Sequence, residues 1–217
     1  MAEWPETKRK LVDAGASLMR ARGFNATTLD DICAAAGVTK GGFFHYFKSK
    51  HAIAKAALAR FGDEREKDFR NAPFRKVADP LERVFGRLEF VTESAGGTGR
   101  LTKGCLIGVL AQELSFSNPE LRGACRDEFA RIASDFEADL AEAKAVYAPE
   151  AAFDPRGLAM LYVSIVQGSL MLAKASESNQ VLIENIERFR GYVGTLFGRS
   201  GHSGRKAGAK AAAGSRD

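Results

Sequence analysis

The sequence predicts an all-α protein with about nine helices. Apolar residues recur at the 3.6-residue period of an amphipathic helix, and no segment shows the sustained alternation that marks a β-strand. Proline follows Asp or Asn where three helices are expected to begin, which is the pattern of an N-cap and a first helical residue. An apolar fraction of 45% and a charged fraction of 27% are those of a globular chain, which excludes wholesale disorder.

Four proline-containing starts and four apolar stripes define most of the helices. The starts are Trp4-Pro5, Asp79-Pro80, Asn118-Pro119 and Asp154-Pro155. The stripes lie within residues 11–18, 81–91, 125–143 and 182–196. Thr28 and Asp31 have the spacing of a capping box, which predicts the start of a further short helix.

Positive charge is concentrated at the two ends of the chain. Residues 1–50 have a net charge of +3 and residues 199–217 a net charge of +4, which leaves −2 for the middle of a chain whose total is +5. This predicts a polyanion-binding head on a body with another role. Three scattered cysteines and no signal-like start favour a reducing cytoplasm over a disulfide scaffold.

Residues 28–46 have the pattern of a helix-turn-helix. Thr28 caps a first short helix, Gly37 ends it, and Thr39 begins a second short helix. Two helices of about eight residues joined by a glycine-containing turn are typical of DNA-reading units.

A cluster of aromatic and basic residues coincides with the second short helix. Gly41 and Gly42 each cost a helix ~1 kcal/mol relative to alanine, so they favour a close approach to another surface such as a DNA groove. We expect Phe43 and Phe47 to lie in the core. Four polar side chains are expected to contact phosphate: Lys40, His45, Tyr46 and Lys50. The alternative is that the aromatic residues are core and the lysines form a solvated edge.

The segment RGFNATTLDDICAAAGVTKGGFFHYFKSK resembles the DNA-binding domain of the tetracycline-repressor (TetR) family of bacterial transcription regulators. The G-F, T-T, I-x-x-A-A-G-V and F-K-S-K elements occur in register, and with the first helix the resemblance covers about a quarter of the chain. It implies a three-helix helix-turn-helix domain followed by a larger helical domain for ligand binding and dimerisation. It also implies a homodimer that binds a near-palindromic operator.

Carried onto this sequence, the resemblance implies that Thr28 binds phosphate at the second helix. Four residues would face the major groove: Thr39, Lys40, Gly41 and Gly42. Three further residues would bind the flanking phosphates: His45, Tyr46 and Lys50. Phe44, also on this DNA-binding surface, stands where the family commonly has tyrosine. One phosphate contact through that hydroxyl is therefore missing, and Tyr46 and His45 are the candidates to replace it.

The two most apolar helices are expected at residues 156–176 and 181–197. Residues 157–173 carry no charge, but the stretch is about one residue short of a membrane span and contains three polar residues. A helix without a polar face needs a partner, so a second copy that completes a four-helix bundle is favoured over a membrane. A monomer whose core these helices complete is the alternative.

A small-molecule effector pocket is expected between the middle helices. Its candidate residues are Phe85, Cys105, Val109, Gln112, Phe129, Tyr162 and Gln167, with Phe90 and Phe136 as further aromatic residues. Cys105 is the sharpest candidate, because a helix at residues 103–116 would place it in the first turn. There the helix dipole and Lys103 would lower the pKa of its thiol. The resemblance adds that in some family members a cysteine in a similar GCL context senses electrophiles; the alternative is a small buried residue.

Signatures of an enzyme are absent from the sequence. The three histidines lack metal-ligand spacing, and the glycines of residues 96–99 lack the order and the preceding strand of a phosphate loop. We therefore expect no catalytic residue, no metal and no cofactor.

Three segments are predicted: residues 1–50 as the helix-turn-helix domain, 51–198 as the ligand-binding and dimerisation domain, and 199–217 as a disordered basic tail. The predicted function is that of a ligand-responsive transcription regulator. It would be a repressor that a small apolar or electrophilic effector releases from double-stranded DNA in the bacterial cytoplasm, at the nucleoid. The alternative is a DNA-binding architectural or partner-recruiting protein without an effector.

Overall fold

The computed structural model describes residues 4–96 and 104–199. Within these ranges the chain forms nine α-helices, one short 3-10 helix (η1) and no β-strand. The elements are α1 (Glu6–Arg22), α2 (Leu29–Ala36), α3 (Lys40–Tyr46), α4 (Lys50–Arg70), η1 (Pro73–Lys76), α5 (Pro80–Gly96), α6 (Leu106–Leu114), α7 (Pro119–Tyr147), α8 (Pro155–Ser176) and α9 (Gln180–Leu196). The predicted fold class and number of helices are confirmed. Lys103, most of the glycine run and residues 200–217 of the predicted tail lie outside the described residues.

The helix starts follow the signals in the sequence. Pro80, Pro119 and Pro155 are the first residues of α5, α7 and α8, and the preceding Asp or Asn side chain accepts a backbone N–H of the first turn in each case. Pro5 differs from this pattern because its ψ of 140° is extended, which makes it the N-cap of α1 rather than the first helical residue.

Helix α6 is shorter than the predicted helix at residues 103–116. It begins at Leu106, with Cys105 as an extended N-cap residue. Gly104 has a φ of +82°, a left-handed conformation that favours glycine, so the chain changes direction immediately before Cys105. Cys105 therefore lies before the helical turn in which the sequence had placed it.

Helices α1, α2 and α3 form the N-terminal part of the protein, called the head below. The side chain of Thr28 and that of Asp31 make the reciprocal hydrogen bonds of a capping box at the start of α2, as predicted. Gly37 ends α2 in the left-handed conformation, with φ 66° and ψ 34°. Leu11, Ile32 and other apolar residues of the head are completely buried.

Helix α4 joins the head to the body, which consists of α5 to α9. Its apolar residues Ile53 and Ala57 lie in a first hydrophobic cluster that contains the head core together with residues of α6 and the start of α7. A second cluster contains residues of α5, α7, α8 and α9. The head therefore shares its core with α4 and with part of the body.

Helix α8 is the most apolar long helix of the described part of the chain. By length and composition it could cross a membrane, with a mean hydropathy of 1.5. It packs against α7 and α9, and Ala159 and Tyr162 lie in the second cluster. These contacts bury one face of α8 against the body, while 39% of its most apolar stretch is buried in all.

A buried network of charged side chains connects α5, η1 and α7. Arg87 of α5 is 0% exposed, and its Nη2 atom donates hydrogen bonds to Asp135 Oδ2 at 2.6 Å and to Asp139 Oδ2 at 3.3 Å. Arg75 of η1 also binds both carboxylates, and Arg83 binds Asp139. Charges buried in this way are stable only as a paired set, so the network fixes how these elements pack.

Candidate DNA-binding surface and effector cavity

Helix α3 presents one polar face to solvent and anchors the other face in the core. Thr39 caps it by accepting the Gly42 N–H at 3.1 Å. Phe43 is completely buried and Phe47 is 5% exposed, as the sequence predicted for these two rings. The exposed residues of the helix and its cap are Thr39, Lys40, Gly41, Phe44 and His45. This is the arrangement that a groove-reading helix requires, with rigid support behind an accessible polar edge.

The two glycines of α3 occupy their positions for different structural reasons. A Cβ atom on Gly42 would lie 2.8 Å from Cγ1 of Val38, so this position is glycine because the turn packs against it. A Cβ atom on Gly41 would meet nothing closer than the Thr39 hydroxyl at 3.9 Å. Close approach to an external surface therefore remains a reason for glycine at position 41, whereas an internal contact already accounts for Gly42.

The polar groups of Thr28 are engaged within the head. Its hydroxyl donates to Asp31 Oδ2 at 2.6 Å and accepts the Asp31 N–H at 3.1 Å, while its own N–H donates to the same carboxylate at 2.9 Å. These hydrogen bonds lower the pKa of Asp31, which also pairs with Arg22. Binding of a phosphate by Thr28 would compete with the capping box.

Lys40 and Lys50 are held in different ways. Lys40 is exposed and forms an ion pair of 2.8 Å with Asp30, an interaction that raises its pKa. Lys50 instead donates to the carbonyl oxygens of Phe24 and Thr27, both at 2.9 Å, and lies 4.2 Å from the centre of the Phe24 ring. A surface ion pair is easily exchanged for a phosphate, whereas Lys50 has two of its three N–H groups committed inside the protein.

The aromatic residues at the end of α3 do not all enter the core. Phe44 is 54% exposed and contacts the buried Phe43 edge-on, with ring centres 5.4 Å apart. His45 is exposed and lies edge-on to the half-buried Tyr46 at 4.7 Å. The position that lacks the tyrosine hydroxyl therefore faces solvent, with His45 and Tyr46 next to it in the same helix.

A cavity of about 210 Å³ lies in the body beside α4. Its walls come from α4, α5, the start of α6, α7 and α8, and they are mostly apolar. The lining residues are Phe61, Arg65, Asp68, Phe69, Phe90, Val91, Ser94, Cys105, Ile107, Ile132, Tyr162, Val163, Val166, Gln167 and Leu170. Of the seven effector-binding candidates, Cys105, Tyr162 and Gln167 line this cavity. Its volume is below the usual ~300–1,000 Å³ of ligand pockets, which favours a small ligand.

A second, smaller cleft of about 170 Å³ separates the head from the body. Val109 and Gln112 line this cleft rather than the cavity, and Cys105 and Gln167 line both. Hydrogen bonds bridge the cleft: the Arg20 guanidinium donates to the Gly104 carbonyl, at 2.8 Å from Nη2. The wall between cavity and cleft is therefore in direct contact with the end of α1.

Two aromatic candidates line neither space. Phe85 packs against the second cluster, and the guanidinium groups of Arg190 and Arg199 lie 5.9 and 5.7 Å from its ring centre. Phe129 packs against both hydrophobic clusters. Both rings are partly buried. An apolar stripe in the sequence has the same pattern whether the side chains pack against the core or line a cavity.

Sequence reasoning missed the α4 wall of the cavity. Phe61, Arg65 and Phe69 are spaced by four residues and therefore lie on one face of α4. A charged residue in the middle of an aromatic stripe was the available signal, since an arginine on a core-facing stripe needs a partner or a cavity.

The thiol of Cys105 has an electrostatic environment opposite to the predicted one. Burial raises its pKa, although hydrogen bonds from Gly108 and the Gln167 side chain act in the other direction. The prediction of a lowered pKa was wrong because Cys105 precedes α6 and is enclosed between the cavity and the cleft.

Both parts of the chain match known protein families. Residues 11–57 match the family described as bacterial regulatory proteins, tetR family. Residues 80–188, half of the chain, match the C-terminal domain described as transcriptional regulator LmrA/YxaF-like.

Individual proteins are similar over most of the chain. The HTH-type transcriptional repressor DhaR of Mycobacterium sp. (strain GP1) is 25% identical over 182 residues, which cover 84% of this chain and 89% of that protein. The uncharacterized HTH-type transcriptional regulator YxaF of Bacillus subtilis is 25% identical over 179 residues, covering 82% and 90%. The crystal structure of a TetR transcriptional regulator from Chloroflexus aurantiacus superposes with a TM-score of 0.77 at 26% identity, covering 87% of this chain and 94% of that one.

Proposed function

This chain belongs to the tetR family of bacterial regulatory proteins and is a ligand-responsive, DNA-binding transcription regulator; from that premise we propose that it is a homodimeric repressor of the bacterial cytoplasm. The relative DhaR is named as a transcriptional repressor, which supports this direction of control. The family regulates transcription and is not one of enzymes. The observation that supports the regulator most directly is the exposed polar edge of α3 on a fully buried aromatic support.

The DNA contacts that we propose come from the head. Thr39, Lys40 and Gly41 would read the major groove, while His45 and Tyr46 would contact phosphates beside Phe44. Lys40 would exchange Asp30 for DNA. For Lys50 we propose a role that is partly internal, because it holds the loop before α2 against the start of α4.

An exposed apolar face on α8 and α9 supports a dimer. Its large side chains are Met160, Leu161, Met171, Leu172 and Tyr192, all exposed in the single chain. Exposed apolar patches of this kind are typical of protein interfaces. A two-fold axis through this face would pair α8 and α9 with the same helices of a second copy and form a four-helix bundle.

Helix α4 supports a coupling between effector and DNA. It begins at Lys50, which contacts the head, and about three and four turns later Phe61 and Arg65 line the cavity. A ligand that prefers one position of α4 favours one position of the head, so ligand and operator would oppose each other reciprocally. An architectural protein without an effector would not need the cavity.

The first experiment selects DNA from the whole genome. The purified protein is incubated with sheared genomic DNA of its own bacterium at near-physiological salt, and the retained fragments are sequenced. We expect a few fragments that share an inverted repeat, with half-site centres ~34–36 Å or a small multiple apart. Uniform retention of all fragments would contradict an operator-specific repressor and favour the architectural alternative.

Two lysine variants then separate groove reading from general attraction. Lys40→Ala should change which operator variants are preferred, while Lys50→Ala should weaken all DNA about equally and reduce the dependence of affinity on salt. Lys76→Ala is the matched control and should change neither, because Lys76 is an exposed charge on η1, outside the head. Equal effects of the Lys40 and Lys50 variants on every sequence would contradict the assigned roles.

A further inference from the structure

The polar groups of the cavity indicate the chemistry of its ligand. Aromatic rings of Phe61, Phe69 and Phe90 form much of the apolar wall. Arg65 adds a guanidinium to this wall, and Tyr162 and Gln167 add further groups that can donate hydrogen bonds. Burial raises the pKa of the Tyr162 phenol, so it stays protonated and remains a donor at neutral pH.

Arg65 is a partly buried cation with an unused hydrogen-bonding group. Its Nε atom is inaccessible to solvent and has no hydrogen-bond partner among the described residues. The Phe69 ring lies 5.5 Å from the guanidinium carbon, which is an attractive contact but not a hydrogen bond. Burial lowers the pKa of Arg65, although nearby acidic groups oppose this change. A guanidinium with an unpaired N–H in an apolar wall is a position at which an anionic ligand group can complete the hydrogen bonding.

Two of the acidic groups near Arg65 pair with other arginines. Asp135 pairs with Arg87 and Arg75. Glu128 pairs through Oε1 with Arg131, while its Oε2 atom is buried without a partner and does not line the cavity. Asp68 lines the cavity but is exposed, so solvent screens its charge. Neither Asp135 nor Glu128 accepts a hydrogen bond from the Arg65 Nε atom.

We propose that the effector is a small apolar acid whose carboxylate binds the Arg65 guanidinium and whose apolar part lies among the aromatic rings of the cavity. This inference rests on the proposed effector function of the same cavity. An arginine presents parallel N–H groups that match a carboxylate, and burial away from water strengthens each of these hydrogen bonds. The hydroxyl of Tyr162 and the amide of Gln167 are the further donors available to the acid.

The test compares acids with neutral molecules of the same shape. Hexanoic, octanoic, 3-phenylpropanoic and indole-3-acetic acids are each paired with the corresponding primary amide. Dissociation constants are measured by calorimetry on the full-length protein, and the rise in thermal midpoint gives a second readout. We expect at least one acid to bind about ten- to a hundredfold more tightly than its amide, as a charge-assisted hydrogen bond supplies.

Variants on one helix identify the group responsible. Arg65→Met and Arg65→Gln should remove the preference for the acid while the amide still binds, and Arg65→Lys should restore part of it because the charge returns. Arg70→Met is the matched control: Arg70 lies on the same helix but is exposed, pairs with Glu66 and does not line the cavity. It should keep the full preference.

Three results would overturn the inference. They are equal binding of acids and amides to the unchanged protein, an acid preference that survives in both neutral Arg65 variants, and no binding of any acid in the series. Selection of an operator by the ligand-free protein is measured separately. If the protein selects an operator but binds no acid, the inference about the ligand fails and the proposed repressor function is supported. If an acid binds but no operator is selected, the proposed repressor function fails and the assignment of the ligand to the cavity is supported.

Discussion

The head and the body of this protein are stabilised in different ways. In the head, polar interactions join residues close in sequence, such as the capping box of Thr28 and Asp31 or the Thr39 cap on Gly42. In the body, the buried polar interactions also join residues far apart in sequence, and Arg87 of α5 contacts Asp139 of α7. The head needs a fixed small shape to fit a groove, whereas the body encloses a cavity between helices. Short-range hydrogen bonds fix the shape of the head, whereas buried ion pairs between helices hold the body together.

The largest expected effect tests the body. Asp139→Ala should lower the free energy of unfolding by about 3–5 kcal/mol, because it removes the buried carboxylate that Arg75, Arg83 and Arg87 share. Arg87, which is completely buried, would then keep only the half-exposed Asp135 as its acidic partner. Urea unfolding followed by circular dichroism measures the change. Glu142→Ala, which removes an exposed partner of Arg83, is the control and should cost at most about 1 kcal/mol. Equal losses from the two variants would contradict a structural role for the buried network.

The next effect tests the link between the two regions. Lys50→Ala should lower the free energy of unfolding by about 2 kcal/mol, because hydrogen bonds from a charged group contribute ~1.5–3 kcal/mol. It removes the bonds to Phe24 and Thr27 that join α4 to the head. Chemical denaturation measures the loss, with the exposed Lys48→Ala as control. If stability is unchanged, Lys50 is free to serve as a phosphate contact alone.

A smaller effect is expected from the capping box of the head. Thr28→Ala should cost about 1 kcal/mol, the usual value for loss of an N-cap side chain. Hydrogen exchange should show the loss as faster opening of α2, with the amides of α8 unaffected. Thr195→Ala, whose hydroxyl only returns to the carbonyl of Tyr192 in its own helix, is the control. Faster exchange spread over the whole chain would argue against a local role.

The last prediction concerns the reactivity of the buried thiols rather than the stability of the protein. Burial raises the pKa of Cys125 to about 11, from an ordinary value of 9.0. Its thiolate fraction at neutral pH should therefore be about a hundredfold lower than in the unfolded chain. The rate of reaction with a chromogenic disulfide, measured in the folded protein and in urea, tests this, and a Cys125→Ala variant assigns the slow phase. Cys105 should also react slowly in the folded protein, because burial raises the pKa of its thiol. A rapid reaction of Cys105 would contradict this and would favour a role in sensing electrophiles.

Much of the candidate DNA-binding surface could be predicted from the sequence. The cap residues, the left-handed Gly37 and the buried rings Phe43 and Phe47 follow from local rules, because each depends on neighbours within about four residues. The division of the chain after residue 50 stays a prediction, since α4 runs across it and the first cluster extends into α6 and α7.

The lining of the effector cavity could be predicted only in part from the sequence. Cys105, Tyr162 and Gln167 were selected and do line it, whereas Phe85 and Phe129 pack against the hydrophobic clusters elsewhere. A stripe of apolar residues tells which face of a helix is buried, but not whether that face meets another side chain or an empty space.

The sequence by itself determined the helices, their caps, the helix-turn-helix and the family resemblance, because these depend on periodicity and on short-range hydrogen bonds. Only the tertiary structure decided that Lys50 is bound to two carbonyls, that burial raises the pKa of Cys105, and that Arg65 faces a cavity without a hydrogen bond at Nε. Each of these depends on residues brought together from distant parts of the chain, and burial and partner distance are the quantities that set their chemistry.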